Sequence, residues 1–417
     1  MEKSNIIRVC LIGAGQRGIH LARQLRHSSG KAKLVAVAEP GESTRLDIAK
    51  EFSLTEDVCF SGWKEMVESK IHCDAAIIAT LDNQHTAPVL ASLDKGWDIL
   101  LEKPVADKFE DILKIEQVRE KTGKLISVCQ TLRYKKNFRK VKELVDDGEI
   151  GEVVTLEYLE AIGNIRFSHN YVRGKWGREE DNTFLLLHKS SHDLDFISWI
   201  IEKPCLKVSS FGGLKYFNLD NTPTGSASRC GNECQVEQSC IYSALNLYVY
   251  TDRTAWPAST VSKDHSLQTH LDVINNGPLG KCGWRSGNNV VDHQVVAMEF
   301  EGNVTAIFTM SGFTSFIGRR IRIHGTTGDL FFDEANQLIR LTKYGSGEEK
   351  EFLFDPDPFT HPEDQEIVGN WIEAIRKNDI SGIAVDIKEV IKTHSIVFAA
   401  EKSRLENKMI HAPFEGI

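Results

Sequence analysis

The sequence predicts an α/β protein with an N-terminal Rossmann domain, built on a doubly wound parallel sheet, and a C-terminal α+β domain with a large, mostly antiparallel sheet. Three observations predict this fold. The first 128 residues alternate short apolar runs with amphipathic segments, as repeated βαβ units do. Later apolar runs follow one another closely across glycine-containing turns, as in an antiparallel sheet. A chain of 417 residues exceeds one ordinary hydrophobic core, so we expect domains at 1–130 and 131–417.

Short apolar runs predict the strands of the first domain, and segments with apolar residues three and four apart predict its helices. The strands are expected at 7–12, 33–38, 75–79, 98–101 and 125–129. The helices are expected at 17–28, 43–52, 84–95 and 107–121.

In the second domain, a helix after Tyr134 leads into a strand at 152–160, where polar and apolar residues alternate. Further strands are expected at 290–300, 304–310, 321–324, 329–332 and 337–342, and two closing helices at 364–377 and 386–407.

Composition excludes several functional classes. Fifty basic against fifty-nine acidic side chains give a net charge of -9, which disfavours nucleic acid as a partner. We also expect no membrane association, because the chain has no run of about twenty apolar residues. The first five residues carry no apolar signal stretch, so we expect a cytoplasmic protein. Its nine cysteines are accordingly expected to be reduced thiols.

A glycine-rich loop joins the first predicted strand to the first helix. Gly13, Gly15 and Gly18 form the pattern GxGxxG, with Gln16 and Arg17 between the last two glycines. The first glycine permits a tight turn, the second lets the backbone approach a pyrophosphate, and the third lets the helix pack on the strand. These five residues are therefore predicted to bind a dinucleotide.

Glu39 ends the second strand, 21 residues beyond Gly18. Its carboxylate is placed to accept hydrogen bonds from the adenosine ribose and to repel a 2′-phosphate. The sequence therefore favours NAD, with NADP as the less favoured alternative because Arg45 lies close enough to pair with a 2′-phosphate.

Two further motifs follow the next strands: Thr80 to His85, and the tripeptide Glu102, Lys103 and Pro104. Together with the glycine loop, they resemble the Gfo/Idh/MocA oxidoreductases, the family of glucose-fructose oxidoreductase and inositol dehydrogenase. The resemblance covers nearly the whole chain. It implies cofactor contacts from Thr80, His85 and Glu102, a peptide bond before the proline that is often cis, and a Lys103 beside both the nicotinamide and the reacting hydroxyl. Lys103 also ends a parallel strand, where doubly wound sheets bind ligands.

His188 and His192 stand four residues apart, ahead of an apolar helix, and share one face if that helix begins early enough. His192 matches the family histidine, whereas His188 occupies the place of the family aspartate. We expect both to be catalytic, although an imidazole lacks the fixed charge of a carboxylate. A zinc-binding pair and histidines that merely cap or pack the helix are the alternatives. Asp193 and Asp195 are candidates to orient this site.

Substrate contacts are expected from the segment after the last Rossmann strand and from the histidine segment. Gln130, Arg133 and Tyr134 resemble the family stretch that faces the active site, and Lys189 lies next to His188. An Arg-Tyr pair at a helix start is as often structural as functional.

A cysteine-containing insertion is expected at about 218–244, rich in Gly, Ser, Thr and Asn. Cys230, Cys234 and Cys240, with Cys282 as a possible fourth ligand, have the residue types that hold zinc or an iron–sulfur cluster. Buried thiols and a disulfide are the alternatives, and spacing alone does not decide among the three.

Three functions follow from these patterns and from the resemblance. The first is a dehydrogenase that passes hydride from a secondary alcohol of a sugar, glycoside or cyclitol to NAD. The second is an NAD-dependent glycosidase acting by transient oxidation and elimination, because Gln16, Arg17 and Gly18 also occur in such relatives. The third is an NAD-sensing protein without turnover. A homo-oligomer, either a dimer or a tetramer, is expected from the resemblance.

Overall fold

The computed structural model describes residues 6–355, 362–383 and 385–414. The first five residues, on which the expected lack of an export signal rests, lie outside the described residues. None of the described helices is long and apolar enough to cross a membrane.

A six-stranded parallel sheet, sheet A, forms the N-terminal part. Its strands are β1 Ile7–Ile12, β2 Ala32–Ala38, β3 Cys59–Phe60, β4 Ala75–Ile78, β5 Asp98–Leu101 and β6 Ile126–Val128. The strand order is β3-β2-β1-β4-β5-β6, the doubly wound Rossmann arrangement. Every residue of β4 and of β5 is buried, because helices cover both faces of the sheet. The predicted Rossmann sheet is confirmed.

The helices of this part are α1 Gln16–Gln24, α2 Glu42–Phe52, α3 Trp63–Glu68, α4 Thr86–Asp94 and α5 Phe109–Thr122. All four predicted helices are present, with ends that differ by a few residues. The sequence analysis missed β3 and α3, which are too short to show a clear period.

A nine-stranded sheet, sheet B, forms the C-terminal part. Its strands are β7 Val153–Ala161, β8 Cys205–Gly213, β9 His293–Phe300, β10 Val304–Ser311, β11 Gly318–Gly325, β12 Gly328–Asp333, β13 Leu338–Lys343, β14 Glu349–Leu353 and β15 Ile410–His411. Their order is β14-β13-β12-β11-β7-β10-β9-β8-β15. Within sheet B, β7 and β10 pair in parallel, and the other neighbouring strands that the structure describes pair antiparallel. The predicted, mostly antiparallel sheet is confirmed, although β8, β14 and β15 were missed.

The remaining helices are α6 Lys136–Asp146, α7 Asn164–Phe167, α8 Leu185–Ile201, α9 Ala244–Tyr248, α10 Leu267–Asn276, α11 Pro362–Lys377 and α12 Ile387–Glu406. Side chains of α6, α8 and α12 fill the core beneath sheet B. The helix α11 instead returns to the Rossmann sheet, where Trp371 is fully buried in the same cluster as Val9 and Leu21. The C-terminal segment thereby joins the two sheets.

Between β8 and β9, residues 214–292 contain short helices and turns but no strand of sheet B. This insertion is longer than the predicted 218–244. Its own apolar cluster is small, with four buried residues: Ala244, Tyr248, Val249 and Ile274.

The expectation of reduced thiols throughout is wrong for Cys10 and Cys73. They form a disulfide with a Cα separation of 6.3 Å. The loop before β4 runs beside β1, where Asp74 N donates to Arg8 O at 2.8 Å, and this contact brings the two cysteines together. The other seven cysteines are free.

Candidate active site

The glycine loop adopts the conformation that its motif predicts. Gly13 has a φ of +86°, and a Cβ atom there would lie 2.6 Å from Ala79 O. A Cβ on Gly18 would lie 2.0 Å from Gly13 O. Apart from the adjoining backbone, no atom of the described residues lies within 4 Å of a Cβ built on Gly15, so this face of the loop has room for a phosphate at the start of α1. The loop therefore fits a dinucleotide.

Glu39 lies beside this loop. Its Oε2 accepts a hydrogen bond from Ala14 N at 2.8 Å, and its Oε1 accepts one from Gly41 N at 2.9 Å. Arg45 donates to the backbone carbonyls of Glu39 and Pro40. The carboxylate is thus fixed at the end of β2, and the guanidinium is engaged by backbone oxygens.

Arg17 joins three elements through its guanidinium. Its Nε donates to Glu102 Oε1 at 2.8 Å, and its two terminal nitrogens pair with both oxygens of Asp364 on α11 at 2.7 and 2.9 Å. Carboxylates therefore engage the guanidinium on both sides. A cofactor contact from Arg17, and one from Gln16 beside it, remain predictions.

His85 connects the loops that follow β4 and β5. One ring nitrogen lies 2.7 Å from Pro104 O and the other 3.2 Å from Thr80 O. The peptide bond between Lys103 and Pro104 is cis, as the resemblance implies. The Nζ atom of Lys103 donates to His188 O at 2.6 Å, which brings the lysine onto α8.

His188 and His192 both lie on α8, which begins at Leu185, early enough to place them on one face. The Nδ1 atom of His188 lies 2.6 Å from Asp82 Oδ2. The indole of Trp176 stacks on the His188 ring at 5.1 Å. A carboxylate from the Rossmann part thus accompanies the imidazole that stands in the place of the family aspartate.

Burial lowers the pKa of His188 below its ordinary 6.5, even though Asp82 acts to raise it. Burial acts to raise the pKa of Asp82, but His188 and Lys103 outweigh it and the pKa is lowered. The pair is therefore a neutral imidazole beside an ionised carboxylate at neutral pH. The Nδ1–H of His188 donates to Asp82, which leaves the Nε2 lone pair of the same ring as a proton acceptor.

His192 has a different partner. Its Nε2 atom lies 3.0 Å from Nη2 of Arg319 on β11. Because a guanidinium only donates, Nε2 accepts and the ring proton resides on Nδ1. Burial lowers the pKa of His192 well below 6.5, and Lys103 and Arg319 lower it further. His192 is a neutral ring that presents an N–H donor.

Arg319 lies at the centre of a buried group of charges. It contacts Asp193, Glu160 and Glu334 at 2.8, 3.0 and 3.1 Å. Lys189 pairs with Glu160, and Lys135 with Glu334. Burial acts to raise the pKa of Glu334, but Arg319 and Lys135 reduce it to about 2. Three cations thus balance three carboxylates beneath α8.

The predicted substrate residues after β6 separate into two kinds. Gln130 is fully buried, and neither its amide nitrogen nor its amide oxygen has a partner among the described residues. Arg133 instead forms a buried, bidentate pair with Asp195 at 2.8 Å for each contact. Tyr134 packs into the core beside sheet A. Of these three side chains, Gln130 is the one whose polar atoms lack partners in the described part of the chain. Substrate contacts from Arg133 and Tyr134 remain predictions.

Other buried polar atoms near these loops also lack partners within the described ranges: Thr80 Oγ1, Asn83 Oδ1, Asn182 Oδ1 and Ser191 Oγ. Buried polar atoms are normally hydrogen-bonded, and unpaired ones indicate a ligand or water. They lie after β4, before α8 and within α8. This pattern fits a cofactor between the glycine loop and α8, with a hydroxylated substrate beside it.

The sequence analysis did not single out Asp82, Glu160, Arg319 or Glu334 as site residues. Asp82 lies within the quoted Thr80–His85 motif, so its position after a strand was an available signal. Glu160 and Arg319 lie on neighbouring strands of sheet B, paired residue to residue. No local pattern predicts that pairing.

Among the residues that the structure describes, no group of three or more His, Cys, Asp or Glu side chains stands ready to hold a metal. The alternative of a zinc-binding pair at His188 and His192 therefore finds no third ligand in the described part of the chain. Cys230, Cys234, Cys240 and Cys282 line one small cavity together, and a metal there remains a hypothesis.

Comparison with known proteins gives two family matches. A family profile described as "Oxidoreductase family, NAD-binding Rossmann fold" matches residues 7–130. A second, described as "Oxidoreductase family, C-terminal alpha/beta domain", matches residues 142–408.

Several curated proteins are similar over part of the chain. The YteT protein of Bacillus subtilis is 24% identical over 64% of this chain and 62% of its own length. The inositol 2-dehydrogenase of Corynebacterium glutamicum is 27% identical over 48% of this chain and 55% of its own. The 2,7-anhydro-N-acetylneuraminate hydratase of Mediterraneibacter gnavus is 22% identical over 49% and 51%. The chain thus matches between about half and three fifths of these relatives' length.

Among solved structures, the scyllo-inositol dehydrogenase of Lactobacillus casei, with bound NAD(H) and scyllo-inositol, aligns with a TM-score of 0.66. The alignment covers 98% of this chain and 99% of that one at 17% sequence identity. This likeness shows a shared fold.

Proposed function

The chain belongs to the Gfo/Idh/MocA family of oxidoreductases, and from that membership we propose that it transfers hydride between NAD and a secondary alcohol of a sugar, glycoside or cyclitol. One observation carries the proposal: Lys103 Nζ lies 2.6 Å from His188 O, so the lysine and the histidine helix meet at the carboxyl end of sheet A. Ligands bind at that end of doubly wound sheets.

Oxidation of an alcohol removes a hydride from carbon and a proton from oxygen. NAD, when bound, supplies the hydride acceptor. The chain's own task is to hold the alcohol and take its proton. We propose that Nε2 of His188 accepts the proton of the alcohol. Asp82 accepts the hydrogen bond from Nδ1–H of the same ring and stabilises the imidazolium that forms. The ammonium of Lys103 lowers the cost of the developing alkoxide.

His192, Gln130 and Lys189 are assigned to positioning the substrate. The Nδ1–H of His192 is a donor for a hydroxyl oxygen, and the amide of Gln130 offers both a donor and an acceptor. Lys189, paired with Glu160, adds positive charge to the same wall. Several donors and acceptors close together suit a polyol, since each hydroxyl needs both.

We assign the cofactor to the glycine loop with Glu39, Thr80, His85 and Glu102. The unpaired Thr80 hydroxyl and the open face of Gly15 support this placement. Glu39 supports NAD over NADP, because its fixed carboxylate repels a 2′-phosphate.

Glu39→Gln is expected to lower the preference for NAD over NADP by about tenfold, because it removes this repulsion. The ratio of the dissociation constants for NADP and NAD, measured by quenching of tryptophan fluorescence, tests this prediction. Glu42→Gln, an exposed change at the start of α2, is the matched control. An unchanged ratio in Glu39→Gln would remove the carboxylate from cofactor selection.

The reaction is tested by absorbance at 340 nm while the protein and NAD meet a panel of sugars, cyclitols and aryl glycosides, with released sugar assayed in parallel. Steady formation of NADH with one class of alcohol is the expected result. If the protein binds NAD but forms neither NADH nor another product with any compound of the panel, the proposed enzymatic function is contradicted. That result would favour an NAD sensor.

A redox-neutral reaction is the second candidate function, and the similarity to a hydratase favours it. In such a reaction the cofactor is regenerated each turnover after the transient oxidation acidifies a neighbouring C–H. The panel separates the two reactions: free sugar or an eliminated or hydrated product without NADH identifies the redox-neutral one.

The location and assembly remain proposals. We place the protein in the cytoplasm, where NAD is available, and propose a dimer or tetramer through the outer face of sheet B. The exposed side chains of Phe211 and Ile307 on that face support self-association. Sedimentation velocity distinguishes these assemblies from a monomer.

A further inference from the structure

Four cysteines of the insertion line one small cavity. Cys230, Cys234, Cys240 and Cys282 line a cavity of about 10 Å³, while all four thiols are free. This cluster lies outside the proposed active site.

Backbone contacts place Cys230 and Cys282 on neighbouring segments. Arg229 and Lys281 form an antiparallel bridge, with Cys230 N donating to Gly280 O and Cys282 N to Ser228 O. Residues one place from a bridge point to the face opposite its side chains, so Cys230 and Cys282 share a face.

The other two cysteines are held by turns. Cys234 N donates to Gly231 O at 3.0 Å, and a single helical turn at Glu237–Ser239 leads into Cys240. The nearby carboxylate of Glu237 is engaged by the Ser243 hydroxyl and by Gly231 N. The thiols are therefore the donors still available at the cavity.

Two further contacts suit sulfur atoms that carry negative charge. Ala244 N donates to Cys230 Sγ at 3.3 Å. Arg173, only 4% exposed, also lines the cavity, with Nη2 at 3.9 Å from Cys230 Sγ. Its Nη1 has no hydrogen-bond partner in the described part of the chain. The guanidinium also donates to Lys281 O and Tyr242 O, at 2.8 and 2.7 Å, which fixes its positive charge beside the cavity. A fixed cation at this point suits thiolates better than neutral thiols.

We propose that Cys230, Cys234, Cys240 and Cys282 bind one zinc ion in a closed, tetrahedral structural site. Each thiol releases its proton to water as its sulfur binds the metal. Four thiolates around a divalent ion leave net negative charge, which Arg173 offsets. The cavity holds about one water-sized sphere, which suits a single ion and is too small for an iron–sulfur cluster. Metal binding draws the sulfurs inward from their present positions around the cavity.

The site explains how the insertion keeps its shape. Residues 214–292 have a small apolar cluster of their own, while Phe217, Tyr242 and Trp284 pack into the core beneath sheet B. Segments with small cores of their own commonly need metals or crosslinks. The zinc would join the bridge at Cys230 and Cys282 to the turn at Cys240. Arg173 connects this centre to the segment that carries Tyr171 and Trp176, both in ring contact with His188. Zinc therefore stabilises the wall of the substrate cleft.

The full chain, purified without metal-affinity resin and dialysed against zinc and then buffer, is assayed for zinc, iron and acid-labile sulfide. We expect about one zinc per chain, with iron and sulfide at background. Cys234→Ser and Cys240→Ser should lose the zinc. Cys205→Ser, which alters a free thiol in β8 away from the cavity, should retain it.

The wild-type chain gives a second readout in case the variants do not fold. Replacement of zinc by Co²⁺ should produce the sulfur-to-cobalt charge-transfer absorption of a tetrahedral thiolate site. Absence of zinc from the wild type, iron with sulfide, intramolecular disulfides among the four cysteines, or zinc retained by both serine variants would each overturn the proposal. These readouts do not involve turnover, so their failure leaves the proposed dehydrogenase untouched.

Discussion

Replacing Lys103 by Met is expected to lower kcat by about 10³-fold or more. The side chain keeps its length but loses the ammonium that lies at the meeting point of Pro104, His188 and the cofactor loop. Without that charge, the developing alkoxide has no cation at this position. Initial rates with the alcohol found in the panel measure the effect.

The control for this prediction is Lys95→Met, which removes an exposed lysine at the end of α4 and should leave kcat unchanged. Affinity for NAD, followed by fluorescence, should change little in either variant, because the glycine loop is intact. Full activity in Lys103→Met would refute the assigned role and reopen the NAD-sensor alternative. Lys103→Arg keeps the charge but changes the geometry, so its kcat should lie between those of Lys103→Met and Lys95→Met.

Asp82→Asn is expected to lower kcat by about 10² to 10⁴-fold. The amide keeps the shape of the carboxylate but loses the charge that stabilises a protonated His188 and fixes its Nδ1–H, 2.6 Å away. Asp181→Asn is the matched control, because that exposed aspartate lies in the loop before α8. Steady-state kinetics should show a fall in kcat with a much smaller change in KM.

The pH profile separates a positioning role from a structural one. The value of kcat should fall as the pH drops through the pKa of His188, because only the neutral ring accepts a proton. Burial places that pKa below 6.5 in the wild type. Asp82 acts to raise it, so Asp82→Asn should move the acid limb to still lower pH. An unchanged acid limb in a folded Asp82→Asn variant would contradict the assignment of His188 as the base.

Local patterns predicted the features whose residues are adjacent in sequence. Strand, glycine loop and helix follow one another at 7–24, and their order alone identified the Rossmann unit. Closely spaced apolar runs separated by glycine-containing turns likewise predicted much of sheet B. The strands β3 and β15 were not predicted, because a strand of two residues is too short to show a period.

Side-chain partners distant in sequence were not predictable. Arg17 pairs with Asp364, 347 residues away, and no local pattern predicts that partner. Arg133 likewise pairs with Asp195, 62 residues away. A basic side chain has many candidate partners in a chain with fifty-nine acidic residues. Only the packing of α8 and α11 against the sheets selects one.

By itself the sequence determined the fold class, the dinucleotide loop and the family, because these depend on periodicity and on motifs of neighbouring residues. The tertiary structure decided which side chains lie close together. Asp82 lies beside His188, 106 residues away in sequence, and His192 forms a hydrogen bond with Arg319. Four cysteines line one cavity. The physical reason is that proton transfer and metal binding depend on distances of a few ångströms, and such distances are set by packing between elements rather than by spacing along the chain.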